Sequence, residues 1–142
     1  MFVIFIRIKE IKMFIQNLNL EQQSALYHFS KKLITADDHV DERETLLLET
    51  IVAQCSDNVD FNKTFTLVEL STLFSNNSQK VAFLIELIGV GYADQVLEES
   101  EDNFIKHIAE TINVESQRLD ELKSWVQRQM ALVVEAQKLL GE

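Results

Sequence analysis

From residue 19 onward, apolar residues recur every three or four positions, and a few polar stretches interrupt the pattern. This is the period of helices with one buried face. Asn19 and Gln22 have the spacing of a capping pair and predict a helix through about Ala36, with Leu26, Phe29, Leu33 and Ile34 inward. A second helix is expected from Asp41, where Glu44 completes an acidic capping box, to about Cys55, burying Leu47, Leu48, Ile51 and Val52. The stretch SDNVD (56–60) breaks the pattern, and Asp60 is placed to cap a third helix carrying Phe61, Phe65, Leu67, Val68 and Leu73. SNNSQ (75–79) is the clearest internal break, with Ser78 as the expected cap of a fourth helix.

That fourth segment, KVAFLIELIGVGYA, is apolar nearly all round and is expected to be the central element. Gly89 and Gly91 weaken it by about 1 kcal/mol each relative to alanine, which predicts the close approach of a neighbouring backbone. Glu86, alone in this run, is expected on an exposed strip or in an ion pair. A fifth helix is predicted from about Glu98 to Ile112, with Phe104, Ile105, Ile108 and Ile112 inward. Ser116 is expected to cap a long sixth helix in which Leu119, Leu122, Val126, Val133 and Leu140 keep near-heptad spacing. Its outer end outruns what one small domain covers, so a homodimer contact through this last helix is expected.

Residues 1–18 form an apolar, basic leader, and residues 19–142 the helical domain. In the leader Ile4, Ile8, Ile11 and Ile15 share a helical face, whereas Phe2, Ile4, Ile6 and Ile8 share a strand face. Three readings stand for it: a segment packed on the domain or a partner, a basic membrane contact through residues 1–15, or an extension ahead of a native start at Met13 rather than Met1.

Composition narrows the fold class. The 142 residues contain no proline and three glycines, so the usual residues of tight hairpins are missing, and an all-α single domain of about six to seven helices is expected. The net charge of −10 is uneven: residues 1–14 carry +2, leaving −12 on the rest. An acidic body repels phosphate backbones, so nucleic acid is excluded as a partner and cations or basic protein surfaces are favoured. The single cysteine, Cys55, forms no internal disulfide, which fits a cytoplasmic protein.

The acids have their own pattern. ADDHVDERE (36–44) holds five of them, and ADQVLEESE (93–101) repeats the arrangement 57 residues later. Ala36, Asp37, Asp41, Glu42 and Glu44 pair with Ala93, Asp94, Glu98, Glu99 and Glu101, and Leu47, Leu48 and Ile51 with Phe104, Ile105 and Ile108. Two helix-loop-helix repeats, about 20–56 and 78–113, related by a pseudo-twofold axis, are the simplest packing. Most of these acids fall in first helical turns, where negative charge complements free N–H groups. Asp37 and Asp94 instead end the preceding helices, where the dipole disfavours a carboxylate. They call for bonds to the next helix, a basic partner or a cation.

Oxygen ligands select calcium, magnesium or manganese, and the candidate ligands are Asp37, Asp41, Glu44, Asp94, Glu98 and Glu101. Neither register fits an EF-hand: counting from Asp37 puts Glu42 where glycine is required. His28, His39 and His107 lack zinc or di-iron spacing, Cys55 has no basic neighbour, and no phosphate loop or nucleophile elbow is present. No enzymatic activity is expected.

ADDHVDERETLLLETI and LIELIGVGYADQVLEESEDNFIKHIAETINVESQRLDEL resemble the TerB-like family, helical domains of bacterial tellurite-resistance proteins and of certain membrane-anchored J-domain co-chaperones. The likeness covers roughly residues 20–125. Asp38 and Gln95 stand where that family often has glycine. The resemblance implies an all-helical domain with pseudo-twofold halves that binds divalent cations through Asp37, Asp94 and the following acids. It further implies a role in a protein assembly serving stress responses at the bacterial inner membrane. Tellurite itself is a poor ligand, because an oxyanion gains nothing from an acidic body and one cysteine is no reducing dithiol.

Overall fold

A computed structural model describes residues 14–35, 42–92 and 96–141. All regular structure among them is helical: a 3-10 turn at Phe14–Asn17, then α1 (Leu20–Ile34), α2 (Glu42–Gln54), α3 (Leu67–Ser71), α4 (Asn77–Gly91), α5 (Glu99–Thr111) and α6 (Ser116–Leu139). Helix α4 is the centre, packed by α1, α5, α6 and the 3-10 turn. Phe83, Leu84, Leu87 and Ile88 are wholly buried. The packed body already includes Ile15 and Leu18.

The capping pair of α1 forms as expected. Asn19 Oδ1 accepts from the Gln22 N–H at 2.8 Å, and Gln22 Oε1 accepts from the Asn19 N–H at 3.0 Å. Gln22, Gln23 and Ser24 are all buried, and each reaches across to the segment after α2 or to the end of α3. Gln22 Nε2 donates to the Leu73 carbonyl (2.8 Å), and Gln23 accepts from the Ser56 N–H (2.7 Å) and donates to the Leu18 carbonyl (2.8 Å). The Ser24 hydroxyl donates to the Asp60 carbonyl. A loop lacking regular backbone partners is thereby satisfied by side chains.

Several expectations change here. Asp60 caps no helix: its carboxylate accepts from the Asn62 N–H at 2.9 Å, holding a turn. The third helix shrinks to α3, opened by a reciprocal Thr66–Glu69 box, and Val68 on it is exposed. The cap of α4 is Asn76, whose Oδ1 accepts from the Gln79 N–H at 2.9 Å, and Ser78 lies inside the first turn. Glu115, not Ser116, takes the N-cap position of α6. Of the four residues expected inward on α2, Ile51 is buried, Leu47 and Leu48 are half-buried and Val52 is exposed.

Helix α5 stops where its sequence permits. Asn113 adopts a left-handed φ of 62°, the Val114 N–H bonds the Ala109 carbonyl at 2.9 Å and the Asn113 N–H bonds the Glu110 carbonyl at 3.1 Å. This is the paired-bond C-terminal motif in which asparagine substitutes for glycine. Asp102 then ties α5 to α6. It bonds Lys123 Nζ at 2.8 Å and Lys106 Nζ at 3.0 Å. Burial alone would raise the Asp102 pKa, but the two ammonium groups outweigh it and hold the carboxyl below its ordinary value.

The two glycines of α4 have different causes, and neither is the approach of a backbone. A Cβ at Gly91 would lie 2.6 Å from Leu97 Cδ1 and 3.3 Å from Ile105 Cδ1, so side chains occupy the space. A Cβ at Gly89 would meet nothing within 4 Å. Gly89→Ala is therefore expected to raise stability by about 0.5–1 kcal/mol through helix propensity alone. Gly91→Ala should forfeit that gain by displacing Leu97. Urea unfolding of the two variants beside the parent checks this, and equal gains at both positions would refute it.

Candidate functional site

The sequence-predicted carboxylates divide by position. Asp37, Asp41 and Asp94 lie outside the described residues, as does His39. Glu44 sits half-buried in the first turn of α2, and Glu98 and Glu101 open α5. The structure brings the last two together: Glu101 Oε1 accepts from the Glu98 N–H at 3.1 Å, satisfying one of the free donors at the helix start. Among the described residues no group of three or more His, Cys, Asp or Glu is assembled to hold a metal ion. No described helix is long and apolar enough to cross a membrane.

A different site emerges on α4. Between α2, α4 and α6 runs a groove of about 260 Å³. Leu47 and Ile51 of α2 form one wall, and Trp125, Val126 and Met130 of α6 another. Phe14 closes one end, its ring packed edge-on against Trp125 with centroids 5.6 Å apart. Thr50, Gln54 and Gln129 add neutral polar atoms.

Helix α4 contributes Ile85, Glu86, Gly89 and Val90 to this groove. The missing side chain at Gly89 is part of the space. Glu86 thus lines a groove between helices and forms no ion pair among the described residues, where the sequence suggested an exposed strip or an ion pair. No hydrogen bond or ion pair to it is found among the described residues, and among them it is the sole charged side chain lining the groove. By surface area Glu86 is only half-buried. The crowding of apolar atoms around its carboxyl decides its chemistry, and this desolvation pushes its pKa up to about 7.

Cys55, at the end of α2, feels the same surroundings. Burial first, and the nearby Glu86 charge second, push its thiol up to about 11. The thiol stays protonated at neutral pH and behaves as a small apolar residue, not a nucleophile. The signal that sequence reasoning missed was Glu86: a helix apolar nearly all round has no solvated strip on which to place an acid.

The raised Glu86 pKa fixes the sign of a pH effect. Between about pH 4.5 and 7 the folded protein keeps a proton that the unfolded chain has released. The corresponding stability is complete below the unfolded value and is lost as pH rises through about 7. With a discount for the solvent that still reaches the side chain, the loss is on the order of 1–3 kcal/mol. Glu86→Gln, neutral at every pH, is expected to raise the melting temperature by several degrees at pH 8 and to change it little at pH 5. Thermal unfolding at the two pH values checks this, and the same shift at both would count against it.

The family model described as tellurite resistance protein TerB matches residues 28–124. No curated protein and no solved structure matches the chain. The matched span takes in both acidic stretches, the whole of α2 through α5 and the part of α6 that Asp102 holds. With more than half its length matched, the chain belongs to the TerB family of tellurite resistance proteins.

Proposed function

We propose that this TerB-family chain is a non-enzymatic interaction domain working in a stress-associated protein assembly, and that it self-associates through the outer half of α6. The observation carrying this reading is the mismatch between the helix and the domain beneath it. Helix α6 runs for 24 residues, about 36 Å, yet its last fully buried residue is Val126. Beyond it Leu132 is 56% exposed, Leu139 83% and Leu140 77%. Leu132 and Leu139 stand a heptad apart, as do Val133 and Leu140, so two adjacent rows form an apolar seam suited to a second helix. The non-enzymatic part is supported by the uses of the reactive groups: Glu101 caps a helix, Asp102 holds two lysines and the Cys55 thiol is protonated.

Sedimentation of the full chain tests the reading. A dimer at micromolar concentration is expected, becoming a monomer in Leu132→Glu/Leu139→Glu with little change in melting temperature, since neither leucine is in the core. A parent chain that stays monomeric at about tenfold higher concentration would overturn it.

Divalent-cation binding through Asp37, Asp41, Glu44, Asp94, Glu98 and Glu101 belongs to the same proposal, and the family match across both acidic stretches supports it. A cation would compete with the Glu98 N–H for the Glu101 carboxylate. Chelator-treated protein should show a saturable rise in melting temperature with millimolar calcium, magnesium or manganese, absent in Asp37→Asn/Asp94→Asn. An equal rise in the variant would reduce the effect to screening of the acidic body.

A further inference from the structure

We infer that the groove between α2, α4 and α6 is a binding site for a small organic cation, an ammonium group carried on a hydrocarbon body and seated against Glu86. The inference is independent of α6 self-association, because the exposed seam begins beyond the groove.

Three features of the groove select this chemistry. The first is size: cavities of ~150 Å³ hold a benzene ring, and about 260 Å³ leaves room for a somewhat larger body. The second is the wall, built chiefly of Leu47, Ile51, Ile85, Trp125 and Met130, which gains by covering hydrocarbon. The third is the single carboxyl. Glu86 lines the groove, half-buried and with no partner among the described residues, and a carboxylate crowded by apolar atoms is stabilised by an opposite charge brought to it.

A neutral apolar guest would leave that carboxyl desolvated, and an anion would be repelled by it. An ammonium group donates to the carboxylate while its hydrocarbon displaces water from the walls, one of which carries the aromatic Trp125. The raised pKa of Glu86 agrees, since a carboxyl without a counter-charge holds its proton.

Gly89 provides an independent control. Its Cβ direction is open space on the groove, so Gly89→Leu is expected to fill the cavity without opposing the fold. The experiment titrates hexylammonium, and hexanol as its neutral counterpart, into the full chain at pH 8 and about 0.15 M salt. Calorimetry reads affinity, and amide shifts of Thr50 and Gln129 with the Trp125 indole signal report location. Hexylammonium is expected to bind saturably and to shift these signals, at least tenfold more tightly than hexanol. Glu86→Gln should lose that tenfold preference while still taking hexanol, and Gly89→Leu, with its melting temperature kept, should bind neither. Equal affinity for the two probes in the parent chain, full hexylammonium binding by Glu86→Gln, or no saturable binding to the parent would each overturn the inference.

Discussion

A helix that is apolar on almost every side must be covered on almost every side, and in this chain that helix is α4. Its buried residues Phe83, Leu84, Leu87 and Ile88 leave no face that water can solvate favourably. The other elements are arranged accordingly: α1 and α5 pack against it, α6 crosses it, and the 3-10 turn at Phe14–Asn17 closes over it. Full burial of one large aliphatic or aromatic side chain is worth roughly 1.5–3 kcal/mol. Four such residues on one helix make its coverage the dominant favourable contact of the domain. The groove is where that coverage is incomplete.

Covering α4 also forces irregular backbone toward the interior, and the polar run on α1 answers that demand. Gln22, Gln23 and Ser24 occupy buried positions that ordinary amphipathic patterning would give to apolar residues. Their side chains instead satisfy backbone groups of Leu18, Ser56, Asp60 and Leu73. An unsatisfied buried donor or acceptor costs about 1–3 kcal/mol, so these glutamines are as structural as the leucines beside them. Asp102 plays the corresponding part on the other side of the domain, where it joins α5 to α6 through Lys123.

Much of this was legible in the sequence, and the failures have physical reasons. The all-helical class, the Asn19–Gln22 cap, the centrality of α4 and the inward face of α5 follow from periodicity and capping chemistry, which are local. The segment from Asp60 to Thr66 was misread as helix because its aromatic residues mimic a helical face. Phe65 is buried from a loop, and that loop holds its place through Ser24 and Gln23, long-range partners that no local pattern reveals. The same limit applies to the site. The acidic repeats stand out by composition, whereas a single glutamate becomes notable only when α2 and α6 are seen to form walls around it. Five apolar neighbours in sequence on α4 gave no sign of which side of the helix would remain uncovered.

Gly89 and Glu86 are three residues apart on α4, one turn along the same strip, and both break the rules of a buried helix. The glycine costs helix propensity where a Cβ would fit, and the glutamate costs desolvation where an apolar side chain would pack. Either departure alone is a tolerable defect in a domain with a core of this extent. Their convergence on one cavity is different, because replacing either one is expected to stabilise the fold, for Glu86 above about pH 7, while removing space or charge from the same place. Sequences depart from consistency between local preference and global packing chiefly where function requires it. By that criterion the groove is better marked as a site than the acidic helix starts, where Glu42, Glu44, Glu99 and Glu101 lie in first turns that favour negative charge.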